Sequence, residues 1–284
     1  MPNYNKERFI AKSIQSVLTQ TLVDLELIVV DDKSTDDSLK IAKEFAEKDS
    51  RIKILTNDTN MGCAFSENRG MGAASGEFVC FIGSDDVVLP TRLEKMVQSL
   101  EHNRRCVGYT DVFTLDENDR VLRANYIGTK LPPSGYSYPF ILSQVAIGLD
   151  TFMAHISTIR EVGNRDETLR WGDDFDYVLR LTERHDIALV PEALYGYRRH
   201  RQSLTGQSSP KLKARAYLQI LERNLGKNWR NLDSATRFKT IQRIRMSARE
   251  SGLKIKYLRW SLSPSFLRLA IPRLSMRVAR RIGT

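Results

Sequence analysis

Two pairs of neighbouring carboxylates in this chain each lie just after a short, mostly apolar run. Asp31 and Asp32 follow residues 25–30, and Asp85 and Asp86 follow a similar run after two small residues. Apolar runs of this length, bounded by polar residues, predict buried strands. Adjacent carboxylates repel each other unless a cation lies between them, and their hard oxygens suit Mg²⁺ or Mn²⁺ bound to a phosphate-bearing substrate. The alternative is an acidic turn that only ends each strand and caps the next helix.

Helices and strands alternate around these carboxylates. Apolar spacing predicts helices at 6–21, 38–47, 64–74 and 92–100, and strands at 25–30, 52–55, 78–82 and 107–114. This alternation predicts an α/β fold with a Rossmann-like, mostly parallel sheet flanked by helices. Such sheets bind ligands at the carboxyl ends of their strands, so both acidic pairs are expected in one site.

The N-terminus departs from this pattern. Residues 1–5 read as a loop that leads directly into the first helix, where a strand would be expected. The sequence is therefore interpreted as lacking its first strand, with a native chain that starts upstream of Met1.

Charge separates the chain into two parts. The net charge over 284 residues is +10, but residues 211–284 hold 19 Lys and Arg against 3 Asp and Glu, and residues 1–210 have a net charge of −6. The polar stretch 202–210 separates the two. We predict a domain at 1–205 and a basic helical C-terminal extension at 206–284, with helices at 212–225 and 235–246.

Composition and cysteine usage indicate a cytoplasmic protein. Cys63, Cys80 and Cys106 have neither metal-binding nor disulfide-type spacing, which is typical of a reducing compartment. The sequence shows no signal peptide and no apolar run long enough to span a bilayer.

The end of the basic extension has its own pattern. Residues 251–284 contain no acidic residue and place Trp260 and Phe266 among Lys and Arg. A basic amphipathic helix with aromatic residues is typical of an element that lies on an anionic membrane surface, which would put the protein at the inner face of the cytoplasmic membrane. The alternative is a helical bundle with a solvated basic face. No nucleic-acid motif is present, so nucleic acid is not an expected partner.

An ordered set of motifs in residues 1–205 resembles family 2 glycosyltransferases, which are inverting enzymes with the glycosyltransferase A fold, in particular those of bacterial polysaccharide and cell-envelope synthesis. Each motif is short, but their order and gaps match. They lie at residues 2–5, 14–21, 29–36, 60–62, 66–70, 74–77, 172–181 and 197–203.

The resemblance implies a reaction and its cofactors. A sugar, of the hexosyl or N-acetylhexosaminyl type, would move with inversion from a nucleotide diphosphate sugar, UDP-sugar first among them, to a hydroxyl of a glycan or lipid-linked acceptor. Asp85 matches the carboxylate of the family's DxD motif that binds Mn²⁺ or Mg²⁺, and His200 is the second expected metal ligand.

The resemblance also assigns the remaining site residues. Asp174 matches the general base, and Asp173, which replaces the family's usual Glu, would orient the acceptor or the base. The alternative for this pair is an acidic helix N-terminus stabilised by the macrodipole. The donor would be bound by Pro2, Tyr4, Asp31, Asp32, Asn68, Ser84, Asp86, Arg198 and His200.

One position departs from the family pattern. Gly83 stands where the family usually has the first Asp of the DxD motif, so Asp85 would hold the metal without that carboxylate. Two other functions stay open at this point. One is a nucleotide-sugar-binding relative that has lost transferase activity, and the other is a basic protein that interacts with membrane surfaces.

Overall fold

The computed structural model describes residues 1–101, 103–124, 131–144 and 148–253. They form two compact units. The larger unit comprises the described residues of Met1–Ser137 and Ile147–Gln207. The smaller unit comprises those of Tyr138–Ala146 together with those from Ser208 onward.

A parallel sheet forms the N-terminal part of the larger unit. Its strands, in spatial order, are β1 (Pro2–Asn3), β2 (Leu27–Asp31) and β3 (Ile52–Thr56). Asn3 lies beside Asp31, and the amide of Asp32 donates to the Asn3 carbonyl at 2.8 Å. The sequence predicts only a loop at residues 1–5, but main-chain pairing with β2 makes two of them a short edge strand.

A second sheet is mixed. Its order is β4-β8-β6-β9-β5, with β7 paired to β6. Its strands are β4 (Phe78–Cys80), β5 (Val87–Val88), β6 (Val107–Leu115), β7 (Val121–Arg123), β8 (Phe152–His155) and β9 (Ile187–Arg198). β6 and β9 run parallel, whereas the other described pairings in this sheet are antiparallel. The sequence predicts Phe81 and Ile82 to be part of the strand, but β4 ends at Cys80 and both residues are buried beyond it. An apolar run indicates that residues are buried and does not show that they pair with another strand.

Helices cover these sheets. In the larger unit they are α1 (Ile10–Leu18), α2 (Ser38–Ala46), α3 (Cys63–Ala73), α4 (Arg92–Leu100), α6 (Ile156–Val162), α7 (Asp173–Arg184) and α8 (Leu204–Gln207). The first four lie where the sequence predicts helices. Ile10, Ile14 and Val17 recur on one face of α1 and pack against Leu27 and Val29 of β2 in a buried cluster, which holds the N-terminus of α1 close to the acidic turn after Ile82.

The smaller unit is helical. It contains α5 (Tyr138–Gln144), α9 (Pro210–Asn228) and α10 (Ser234–Glu250). The hydroxyl of the buried Tyr138 bonds to Asn224 and Asn228 at 3.2 and 2.7 Å, so α5 is tied to α9. No helix of the described residues is both long and apolar enough to cross a membrane. The predicted membrane-surface segment, 251–284, lies outside the described residues from position 254 onward.

Candidate active site

Asp86 faces the interior of the larger unit. Its Oδ1 accepts from the amide of Arg198 at 2.7 Å, and its Oδ2 accepts from the Tyr195 hydroxyl at 2.5 Å. That hydroxyl in turn accepts from the amide of Gly83 at 3.1 Å. Burial and the neighbouring charge of Asp85 raise the pKa of Asp86 well above its ordinary value. Asp86 therefore ties the acidic turn to β9.

Two further side chains fix the backbone of this turn. The buried Ser13 hydroxyl of α1 lies 2.9 Å from the Ser84 carbonyl and 2.6 Å from the Asp86 carbonyl. Arg198, which is only 1% exposed, donates from Nε to the Asp85 carbonyl at 2.7 Å and from Nη1 to Asp119 at 2.6 Å. The Ser84 carbonyl and the Arg198 side chain thus both help to fix the turn, and their predicted binding of the donor stays a prediction.

Asp85 faces a cationic environment. Its Oδ2 lies 3.1 Å from the Lys6 ammonium and 2.9 Å from His200 Nε2. The His200 ring packs against Phe9, with centroids 4.6 Å apart. Burial opposes ionisation of Asp85, but the hydrogen bond from His200 and the charge of Lys6 outweigh it and lower the pKa. The two adjacent carboxylates thus differ: the surroundings favour the ionised form of Asp85 and disfavour the ionised form of Asp86.

Asp85 and His200 provide donors that fit a divalent cation. A carboxylate oxygen and an imidazole nitrogen suit Mn²⁺, and carboxylates suit Mg²⁺ that takes its remaining ligands from phosphate and water. Within the described part of the chain, no group of three or more Asp, Glu, His or Cys side chains is placed to hold a metal ion. A cation at this position would share Oδ2 with the Lys6 ammonium or displace it.

Gly83 has a packing reason to lack a side chain. A Cβ at this position would lie 2.9 Å from Asp86 Oδ2 and 3.0 Å from Asp85 Oδ1. The two carboxylates therefore fill the space that the side chain of an Asp at position 83 would need. The absence of the family's usual carboxylate at position 83 is coupled to the way this turn packs.

We predict that Gly83→Ala destabilises the larger unit by about 1–3 kcal/mol, because the added methyl group displaces two carboxylates that are held by hydrogen bonds. Gly83→Asp should destabilise it further by adding a third carboxyl group beside Asp85 and Asp86. The matched control is Gly72→Ala in α3, where a Cβ meets nothing within 4 Å and helix propensity improves. Denaturant unfolding of the three variants measures the difference; equal stability of Gly83→Ala and wild type would contradict the prediction.

Several of the predicted donor-binding residues lie at the adjoining ends of β1 and β2. The Asp31 carboxylate accepts from Asn3 Nδ2 at 2.7 Å and from the Ser34 amide at 3.0 Å. Tyr4 follows Asn3 and has an exposed side chain, and Pro2 begins β1. Asp31 thus holds the loop after β2 and does not cap α2, whose N-cap residue is Asp37.

Asp32 orders a second loop. Its Oδ1 accepts from Asn57 Nδ2 at 2.7 Å and from the Met61 amide at 2.8 Å, and its Oδ2 accepts from the Gly62 amide at 2.8 Å. These bonds join the carboxyl ends of β2 and β3 to the start of α3. The predicted binding of the donor by Asp32 stays a prediction.

Asp173 and Asp174 form the first turn of α7. The helix is preceded by Gly172 in the left-handed region, at φ 78°, which glycine adopts without strain. Asp174 is half-buried, and its Oδ1 accepts from the Phe175 amide at 2.7 Å. Burial and then the charge of Asp173 raise the pKa of Asp174 to about 6, although the charge of Arg165 opposes this. A carboxylate with this pKa is ionised near neutral pH and remains basic enough to accept a proton.

Asn68, predicted to bind the donor, uses its amide within the protein. Its Oδ1 accepts from the amide of Arg165 at 2.8 Å, and its Nδ2 donates to the Arg165 carbonyl at 3.0 Å and to Glu167 at 2.7 Å. Asn68 therefore holds the loop that precedes α7.

Asp150 is a further acidic side chain with a raised pKa. It lies in a 3₁₀ turn, Leu149–Thr151, whose Asp150 carbonyl accepts from Arg92 at 2.5 Å. Burial and the charge of Asp174, with a smaller contribution from Asp85, raise the pKa of Asp150 to about 7.

Sequence reasoning missed Lys6, Tyr195, Asp150 and Arg165. Lys6 has a weak signal, since it is the first cation after the loop at residues 2–5. Tyr195 lies within three consecutive buried positions of β9, so no alternation in the sequence singles it out. No pattern in the sequence distinguishes Asp150 or Arg165.

Comparison with known proteins decides the family. The sequence profile described as Glycosyl transferase family 2 matches residues 1–158, more than half of the chain. The chain belongs to glycosyltransferase family 2. The predicted family and enzyme class are thereby confirmed.

Relatives of this glycosyltransferase support the assignment. An uncharacterized glycosyltransferase of Methanocaldococcus jannaschii is 29% identical over 70% of this chain and 69% of its own length. The Escherichia coli UDP-Glc:alpha-D-GlcNAc-diphosphoundecaprenol beta-1,3-glucosyltransferase WfgD is 35% identical over 52% of this chain and 55% of its own. The match therefore spans little more than half the length of WfgD.

Solved structures agree with the fold. The crystal structure of Staphylococcus aureus TarS 1-349 in complex with UDP-GlcNAc is similar over 94% of this chain and 77% of that chain, with a TM-score of 0.66 and 19% identity. The glycosyltransferase A fold, with its parallel and mixed sheets and flanking helices, is confirmed.

Proposed function

We propose that this glycosyltransferase moves a sugar, with inversion at the anomeric carbon, from a UDP-sugar to a hydroxyl of a glycan or lipid-linked acceptor. The observation that carries the proposal is the presence of two different acidic sites in the larger unit. One is Asp85, whose Oδ2 lies 3.1 Å from Lys6 and 2.9 Å from His200, and the other is Asp174 in the first turn of α7, with its raised pKa.

The donor end of the site is assigned to Asp85, His200 and Lys6. The leaving nucleotide diphosphate gains negative charge as the bond between the anomeric carbon and the phosphate oxygen breaks. The Lys6 ammonium lies at an oxygen of Asp85 and so presents positive charge next to a diphosphate bound there, and His200 contacts the same oxygen. A divalent cation, Mn²⁺ or Mg²⁺, held by Asp85 and His200 would supply Lewis-acid stabilisation of that leaving group.

The base end of the site is assigned to Asp174. Inversion requires one in-line attack by the acceptor hydroxyl on the face opposite the leaving group. In that step the hydroxyl oxygen bonds to the anomeric carbon, and its proton moves to an oxygen of Asp174. Because the N-terminus of α7 bears partial positive charge, it favours the ionised form of Asp174 between turnovers.

The choice of donor and acceptor follows the relatives. WfgD is named for transfer from UDP-Glc to a diphosphoundecaprenol-linked sugar, and TarS has been crystallised with UDP-GlcNAc. A UDP-hexose or UDP-N-acetylhexosamine and a lipid-linked glycan are therefore the first substrates to test.

A donor panel tests this proposal. Purified protein is mixed with UDP-, GDP-, ADP- and dTDP-sugars, each with Mn²⁺ and with EDTA, and its melting temperature is measured. Hydrolysis of the stabilising donor is then followed with and without acceptor. The proposal expects one UDP-sugar to stabilise the protein and to be consumed. Binding without consumption would favour a relative that has lost transferase activity. If no sugar nucleotide is bound and none is consumed, the proposal is refuted.

We further propose that residues 251–284 hold the enzyme on the anionic inner face of the cytoplasmic membrane, where lipid-linked acceptors would be reached. The support is the basic, aromatic-containing sequence of that segment. Co-sedimentation with vesicles of anionic lipid should fall strongly when the segment is deleted and should also fall in high salt. Equal sedimentation of full-length and truncated protein would refute the membrane role and leave the transferase proposal untouched.

A further inference from the structure

A buried arginine connects α3 to the start of α7. Arg165 is only 5% exposed, and its guanidinium contacts the carboxylates of Glu67 on α3 and Asp173 on α7, the latter at 2.5 Å. Glu67 and Asp173 are also buried. Because removing one member of a buried ion group leaves the others uncompensated, this arrangement is strongly coupled.

The backbone of Arg165 is held as firmly as its side chain. The Asn68 side chain accepts from the Arg165 amide at 2.8 Å and donates to its carbonyl at 3.0 Å. Glu67 and Asn68 are consecutive residues of α3, so a single turn of that helix holds both ends of Arg165. The guanidinium is therefore set in one position relative to the N-terminus of α7.

Arg165 is a positive charge that acts on Asp174. The charged and titratable groups coupled to Asp174 are Asp173 on its own helix, Arg165 in the preceding loop, Asp150 in the 3₁₀ turn and the Cys63 thiol on α3. Asp173 disfavours the ionised form of Asp174, whereas Arg165 favours it.

We infer that Arg165 is a positioning residue for the proposed general base: through Asp173 it orients the first turn of α7, and through its charge it keeps Asp174 ionised. This inference rests on the proposed function. It gives Asp173 a definite role as the bridge between Arg165 and the base.

Loss of the Arg165 charge and loss of the Asp173 charge should move the pH profile of transfer in opposite directions. Transfer requires ionised Asp174, so the rate rises with pH through the pKa of this group, near 6 in the wild type. Loss of the Arg165 charge raises that pKa and moves the acidic limb upward by about one pH unit, whereas loss of the Asp173 charge moves it downward. An upward shift of one unit lowers the rate about fivefold at pH 6 and only by about a tenth at pH 8.

Four variants separate this electrostatic role from a purely structural one. Arg165→Met removes the charge, Arg165→Lys restores it without the planar fork, and Asp173→Asn removes the bridging charge. The matched control is Arg180→Gln. Arg180 also ties the preceding loop to α7, through Asp176 at 3.0 Å and the carbonyls of Val162 and Asn164, but it is not among the groups that shift Asp174.

The readouts are the pH profile of transfer and a direct titration of Asp174. The carboxyl carbon of Asp174 is followed by NMR in ¹³C-Asp-labelled protein and is assigned by its loss in Asp174→Asn. In both readouts we expect the pKa of Asp174 to rise in Arg165→Met, to stay near the wild-type value in Arg165→Lys, and to fall in Asp173→Asn. Arg180→Gln should change only the melting temperature, which should be lower.

Two results would overturn the inference. One is a folded Arg165→Met variant whose acidic limb lies at the wild-type pH, and the other is an Asp173→Asn variant whose acidic limb does not move. The Asp173→Asn result decides the test if Arg165→Met does not fold. If wild-type protein shows no transfer, the proposed function fails, and the NMR titration still tests whether Arg165 controls the ionisation of Asp174.

Discussion

Replacement of Asp174 by Asn is expected to lower the transfer rate by about 10²–10⁴-fold, the contribution usual for a general base. The amide has the size of the carboxylate and retains an oxygen to accept from the Phe175 amide, so the first turn of α7 should persist. Donor affinity should change little, because Asp174 acts on the acceptor hydroxyl. Steady-state kinetics together with donor-induced thermal stabilisation measure the two effects separately.

The pH profile provides the control for this prediction. In wild type the rate should increase between about pH 5 and pH 7 and then level off, because burial and Asp173 raise the pKa of Asp174 to about 6. The residual activity of Asp174→Asn should lack this limb. A variant that retains more than about a tenth of the wild-type rate, with the limb intact, would show that another group accepts the proton.

Replacement of Asp85 by Ala is expected to abolish the response of transfer to Mn²⁺ and to lower the rate by about 10²–10³-fold, since charge development on the leaving diphosphate loses its stabilising partners. Lys6 and His200 would both lose the oxygen they share. The buried His200 side chain would then lack its carboxylate partner, so the melting temperature should also fall. Donor binding with Mn²⁺ and with EDTA is measured beside the rate.

Glu117→Gln is the matched control for Asp85→Ala. Glu117 also pairs with a basic side chain, Arg8, but both partners are about half exposed, at 50% and 52%. Exposed pairs contribute little to stability, so rate, metal response and melting temperature should all match wild type. If Asp85→Ala retained the wild-type rate and metal response, Asp85 would not be part of the donor site.

The elements of the larger unit were predictable wherever local pattern and burial coincide. The period of Ile10, Ile14 and Val17 predicts α1, and the apolar run ending at Val30 predicts β2, because each follows from which face of one element is buried. The pairing partner of β4 was not predictable. Its antiparallel neighbour, β8, is separated from it by more than 70 residues, and no periodicity encodes such a pairing.

Within the site, the sequence identified acidic residues but not their individual environments. Asp85 and Asp86 are chemically identical neighbours, yet the structure turns one toward Lys6 and His200 and the other toward Tyr195 and the amide of Arg198. The resulting pKa values shift in opposite directions. Strand and turn geometry decide this difference, since successive side chains leave the backbone in different directions.

The sequence by itself determined the family, the alternation of helices and strands, and the set of carboxylates that follow β2, β4 and the loop before α7. These features depend on residue type and spacing along the chain. Tertiary structure alone decided that Lys6 and His200 meet at Asp85, that Arg165 joins Glu67 to Asp173, and that the carboxylates of Asp85 and Asp86 fill the space beside Gly83. Burial and charge act through space between residues distant in sequence, so these contacts exist only after the chain has folded.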